Sequence, residues 1–166
     1  MNGTEALIAD FLHQRNIAVV GVTHAESGVA NAIFHRLKEA GYRVFPVNPN
    51  MDMFEGERCY ANLGGIEEAV DGVMIVTRPA VTESVVDECI ELGIKRVWMH
   101  NMLGPRVHWG KGLSRRTTSA SEHAVEKARE SGMTVIPGDC PLQHVEPVDG
   151  WHRCIHWVAG KLGNRE

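Results

Sequence analysis

The chain has 166 residues, 43% hydrophobic and 23% charged, a globular composition that excludes disorder and fibrous repeats. Lys and Arg number 17 against 21 Asp and Glu, and the net charge of −4 carries no general nucleic-acid footprint. The longest apolar runs, Ile17 to Val20 and Val73 to Val76, are far too short to span a bilayer. Glu5 and Asp10 stand where a secretory signal would be basic, and no two of the four cysteines form a CxxC pair. The expectation is one cytoplasmic domain over 1–166 with reduced thiols.

In chain order, a helix is expected first, capped by Thr4, with Leu7, Ile8 and Phe11 on its inner face. A short apolar strand follows, from Ile17 to Gly21. The next helix carries the stripe Ala30, Ile33, Phe34 and Leu37, and ends at Glu39-Ala40-Gly41. Arg43 to Val47 reads as a strand, and a short helix leads to another strand, Gly72 to Val76. Pro79 suits the first position of the following helix, whose stripe is Val81, Val85, Cys89 and Ile90. It ends at Glu91-Leu92-Gly93 before the strand Lys95 to Met99. Ser119 to Glu122 reads as a capping box, opening a helix that ends at Glu130-Ser131-Gly132. The strand Met133 to Ile136 follows, then a last helix bearing Trp151, Ile155, Val158 and Leu162. Each helix-ending Gly suits a left-handed C-terminal cap, after which a strand can begin.

Helices alternating with strands that are apolar throughout predict an α/β fold. It is a Rossmann-like, doubly wound sheet of five parallel strands in a three-layer α/β/α arrangement. The favoured strand order is 3-2-1-4-5. Ligands of such sheets bind beyond the carboxyl ends of the strands, where strand order reverses. The first loop there, Gly21 to Gly28, leads into a helix N-terminus and carries the hydroxyls of Thr23 and Ser27. It reads as a phosphate or pyrophosphate cradle, or else as a plain βα turn. It is not the GxGxxG dinucleotide fingerprint, because Thr23 holds the second Gly position. The second strand ends in Asn48-Pro49 where a ribose-binding acid would stand.

Gly21-Val22-Thr23, Val47-Asn48-Pro49, Gly56, Cys59-Tyr60-Ala61-Asn62-Leu63, Arg78-Pro79 and Asp139-Cys140 together resemble the stand-alone bacterial CoA-binding proteins. Those are similar to the N-terminal domain of the succinyl-CoA ligase α subunit. The resemblance runs from about Ile17 to His144. It implies a domain that binds coenzyme A or an acyl-CoA, as a nucleotide-binding module without established catalysis. It nominates Gly21, Thr23, Ser27, Gly28, Asn48, Pro49, Arg78, Met99, His100 and Cys140, with the phosphates at the first loop and the adenosine end near Asn48-Pro49. The ligase reaction itself needs a phosphohistidine-bearing domain and a nucleotide-grasp partner besides. The acyl group and any protein partner stay open, and neither a membrane nor a nucleic acid is implied.

Two other classes use the same residues. An NAD(P)-dependent oxidoreductase would share the fold but is disfavoured by Thr23 and Asn48. A metal or redox sensor would use His100, Cys140 and His144, although Cys140 equally reads as a small packing residue at a strand end. His152 and His156 share a helix face but lack an obvious third ligand, so no metal is assigned. The long connection from Asn101 to Thr118, with Arg106, Lys111, Arg115 and Arg116, is expected to close over phosphates or to be a solvated basic loop.

Overall fold

A computed structural model of the chain describes residues 3–25, 27–101 and 118–148. The elements, in chain order, are α1 (Gly3–Leu12), β1 (Asn16–Val20), α2 (Val29–Glu39) and β2 (Arg43–Val47). A small hairpin of β3 (Met53–Phe54) and β4 (Glu57–Arg58) follows, then a single 3-10 turn (Leu63–Gly65). β5 (Gly72–Ile75), α3 (Pro79–Glu91), β6 (Arg96–Met99), α4 (Glu122–Glu130) and β7 (Thr134–Pro137) complete the sheet and its covering helices. The long connection and the last helix expected from the sequence lie outside the described residues, apart from Asn101 and Thr118.

Strand side chains alternate between two cores, as the period of two requires. Ile17, Val19, Met74, Trp98 and Ile136 face α1 and α2. Ala18, Val20, Val73, Ile75, Val97 and Val135 face α3 and α4. Both faces are covered, so the strands are apolar throughout, and the architecture is the expected three-layer Rossmann-like α/β fold. Phe11 of α1 meets Trp98 of β6 edge-on, with ring centroids 5.4 Å apart. Beside that contact, Arg96 Nε donates to Asp10 Oδ2 at 2.7 Å. This hydrogen bond holds the Asp10 carboxyl below its ordinary range and ties α1 to the sheet.

The five parallel strands lie in the order β2-β1-β5-β6-β7. Counted among themselves they run 2-1-3-4-5, so the 3-2-1-4-5 order is corrected. The first crossover runs through α2 on one face. The second returns past β1 on the other face, where Leu63 and Ile66 are buried. Opposite faces for opposite directions keep the crossovers of one hand. The second connection holds the β3–β4 hairpin and the 3-10 turn in place of the expected short helix. Tyr60 runs back along β2, its N–H donating to the Pro46 carbonyl at 2.9 Å.

Three local readings also shift. Thr4 lies inside α1 and does not precede it. The inner stripe of α3 is Thr82, Val85, Val86 and Cys89, leaving Val81 exposed. The cap of α4 is Ser121, whose Oγ accepts from Ala124 N–H at 3.4 Å. Ser119 lies two residues too early to cap a helix that begins at Glu122, and its N–H donates to the His100 carbonyl at 2.7 Å. Gly41, Gly93 and Gly132 do take left-handed conformations after their helices. Among the described residues no helix is long and apolar enough to cross a membrane.

Candidate functional site

β1 is the switch point of the sheet, because the chain leaves it toward α2 while its neighbour β5 feeds α3 on the opposite face. A crevice of about 690 Å³ opens there, at the carboxyl ends of the strands. Its floor is Val20, Gly21, Val47 and Val76. Thr23 and Val29 line one side, Thr77, Arg78 and Val81 another, and Asn48, Pro49 and Asn50 close the end beyond β2. His100, Thr118 and Ser119 form the remaining wall. A cavity of this size matches the range of small-molecule sites.

The electrostatics of the crevice favour an anion. α2 and α3 both begin at it, and each directs the positive end of a helix dipole toward it. Arg78 and His100 are the titratable residues among the described lining, which includes no carboxylate. Arg78 is exposed, gives α3 its backbone cap, and has no carboxylate partner among the described residues. Thr77 Oγ1 lies 3.0 Å from the wholly buried Thr82 Oγ1, which fixes the first hydroxyl at the rim. Val29 and Val81, 40% and 42% exposed, are two of the few large apolar side chains left in solvent. They stand at the starts of the two facing helices and give the crevice apolar flanks.

Of the ten residues nominated by the sequence, Gly21, Thr23, Asn48, Pro49, Arg78 and His100 line this crevice. Asn48 is already engaged: its Nδ2 donates to the Val22 carbonyl at 2.6 Å and its Oδ1 accepts from Asn50 N–H at 2.8 Å. Its side chain therefore braces the first loop against the second. Ser27 and Gly28 stand at the start of α2, where Gly28 is the N-cap without a side-chain hydrogen bond. Met99 is fully buried against α3 and α4. Cys140, 2% exposed, packs in the opposite core with Leu142 and Val145.

Asp139 and His144 form a cluster beside Trp98, away from the crevice lining. Asp139 Oδ2 lies 3.2 Å from His144 Nε2, and its Oδ1 accepts from Cys140 N–H at 2.7 Å. His100, Cys140 and His144 are thus divided between two places. Among the described residues no three His, Cys, Asp or Glu side chains are grouped to hold a metal ion.

The described thiols are buried, and burial pushes Cys89 up to about 12. We expect alkylation of the native protein at neutral pH to leave Cys89 unlabelled until denaturant is added, as peptide mass mapping will show. Native labelling of Cys89 would mean that α3 opens locally.

Val29 lines the crevice without any signal in the sequence, since it stands outside the apolar stripe of α2. Behind the first loop, Asn31 is also missed: a polar residue next to that stripe, and 6% exposed. Polar residues at buried positions are the informative ones.

Comparison with known proteins adds the family. A family model described as a CoA binding domain matches residues 15–146. Uncharacterized protein YneT of Bacillus subtilis is 26% identical over 140 residues, covering 84% of this chain and 92% of that one. An ADP-forming acetate–CoA ligase of Methanocaldococcus jannaschii is 30% identical over 83 residues. That match takes in 50% of this chain but only 12% of the ligase. Among solved structures, a hypothetical protein from Pyrococcus horikoshii OT3 superposes with a TM-score of 0.68 at 27% identity. The superposition covers 82% of this chain and 85% of that one.

Proposed function

The chain belongs to the CoA binding domain family, and from that premise we propose that its crevice holds coenzyme A or an acyl-CoA. The observation that carries this reading is the crevice itself. It sits between two helix N-termini, bears hydroxyls and one arginine, includes no described carboxylate, and has apolar flanks. CoA offers a matching sequence of groups: a flat aromatic base whose faces suit apolar flanks, a pyrophosphate and a 3′-phosphate. The pyrophosphate lies at the start of α2, with Thr23 and Arg78 as its donors. The adenosine end lies toward Asn48-Pro49, between Val29 and Val81. Gly21 gives close backbone approach, and Ser27 and Gly28 set the start of the helix. Met99 and Cys140 act from beneath, by packing. The domain works as a cytoplasmic binding module, and any acyl transfer belongs to partners that bring the reacting groups.

A thermal-shift comparison of CoA, acetyl-CoA, NAD, NADP and Zn²⁺ tests the reading. A ligand at a hundred times its Kd stabilises by about 2.7 kcal/mol, or roughly 5–10 °C in midpoint for a chain of this length. We expect CoA or acetyl-CoA to give that shift and NAD to give none. A shift with NAD and none with either CoA species would replace the proposal with the oxidoreductase reading.

A further inference from the structure

A loop that holds an anion has two opposed tasks. It must turn N–H and O–H donors toward the ligand and keep its own carbonyl oxygens from repelling it. A backbone turn struggles to do both, because nearly every peptide carries one group of each kind.

In loop 22–28 the second task falls to Asn31. Its Nδ2 donates to the carbonyls of Thr23 and Ala25, at 2.8 and 3.1 Å. Its Oδ1 accepts from Thr23 N–H at 2.9 Å. Both amide protons and the amide oxygen are therefore spent on the loop. The Ala25 carbonyl also accepts from Gly28 N–H at 3.1 Å, so both of its lone pairs are engaged. Thr23 Oγ1 accepts from Ala25 N–H at 3.4 Å, which leaves the hydroxyl proton to donate into the crevice.

We infer that Asn31 is the positioning residue of the site: its buried amide neutralises two loop carbonyls and so turns an ordinary βα turn into an anion cradle. The inference rests on the reading of the crevice as a phosphate-holding site. It goes beyond that reading in assigning the cradle's sign to a residue that itself has no donor left for the ligand.

Asn31→Asp is the decisive variant. It keeps the shape but loses both donors, and it sets a carboxylate against two carbonyls. Asn31→Ala removes the clamp without adding charge. Ala32→Asp adds the same charge on the exposed neighbouring position with the clamp intact. Inorganic pyrophosphate and CoA are the probes, titrated by calorimetry, with the melting temperature of each protein measured alongside.

We expect Asn31→Asp to weaken pyrophosphate by about tenfold or more, in keeping with loss of charge-assisted contacts. Asn31→Ala should weaken it by roughly threefold, and Ala32→Asp by less than that, in line with screening at an exposed site. A merely structural role would lower the melting temperatures of both Asn31 variants while leaving their affinities alike. Equal loss in Asn31→Asp and Ala32→Asp would overturn the inference, as would unchanged affinity in Asn31→Asp. Should Asn31→Asp fail to fold, Asn31→Ser, which keeps one donor, is expected to fall between wild type and Asn31→Ala. Any other rank overturns the inference. If wild type binds pyrophosphate but not CoA, the CoA reading falls and the variants still judge Asn31. If it binds neither, both fall.

Discussion

Gly21→Ala is expected to destabilise the domain by about 3–5 kcal/mol, in the range reserved for strain and steric overlap in a core. Gly21 follows β1 directly at φ +110, a conformation that L side chains rarely adopt. A Cβ built there would lie 2.2 Å from the Val76 carbonyl oxygen and 3.0 Å from its carbon. The obstacle is backbone, so no rotamer relieves it. Nor can Val76 withdraw easily, because its N–H donates to the Val20 carbonyl at 2.9 Å. Gly21 is tied on its other side by donating to the Val47 carbonyl at 3.0 Å. One methyl group would therefore prise apart the three strands that form the crevice floor. The midpoint of thermal unfolding should fall by roughly 6–20 °C at the usual conversion for this size. Gly64→Ala serves as the control, since its Cβ would meet nothing closer than 3.7 Å. Its stability should stay within about 0.5 kcal/mol of wild type. A Gly21→Ala protein that melts within a degree or two of wild type would show that the ends of β1 and β5 can separate freely.

The same close approach explains which parts of the fold were legible. Strands buried on both faces must be apolar throughout, so five runs announced themselves, and the three left-handed glycines marked where helices stopped. Strand order depended on a weaker sign. Pro46 has no N–H to offer a second neighbour, so proline within a strand points to an edge. β2 is that edge in the observed order, 2-1-3-4-5, and it excludes the interior place that 3-2-1-4-5 would give it. The β3–β4 hairpin was hidden because two-residue strands show no alternation. Its turn, Glu55-Gly56, has φ of +50 and +81, and Glu is an unusual residue for the first of these.

The site was legible to a similar depth. The switch-point rule located the crevice, and the polar residues at strand ends were sound candidates for its lining. Roles were harder to assign, because spacing along the chain says where a side chain starts but not what it already bonds. Asn48 reads as a ligand contact in sequence, and the structure shows that its side chain also braces two loops. Met99 and Cys140 follow the correct strands but point into packed cores. Val81 reads as part of the α3 stripe, yet the stripe turns by one residue to bury Thr82, and Val81 moves to the crevice. One residue on a helix is a rotation of about 100°, enough to exchange core for site.

Arg78→Glu is expected to abolish most CoA binding while leaving the fold intact. The side chain is exposed and has no carboxylate partner among the described residues, so its removal breaks no internal pair. The backbone does the structural work at this position, its carbonyl accepting from Val81 and Thr82 N–H at 2.9 and 3.1 Å. A cation placed at a helix N-terminus is a like-charge arrangement that works slightly against the free protein. An anion in the crevice reverses that sign and binds both. Replacing the guanidinium with a carboxylate removes a charge-assisted contact worth about 1.5–3 kcal/mol and adds repulsion toward the phosphates. CoA affinity should fall by about 100-fold, which corresponds to roughly 2.8 kcal/mol. Folding stability should hold or rise by a few tenths of a kcal/mol, because the new carboxylate favours the N-terminus of α3. The two effects have opposite signs, so a destabilised variant cannot imitate the result. Titration at low and high salt adds a second check. Wild-type affinity should weaken as salt screens the phosphate contact, and that of Arg78→Glu should weaken less or improve. Unchanged CoA affinity in a folded Arg78→Glu protein would place the phosphates away from the start of α3.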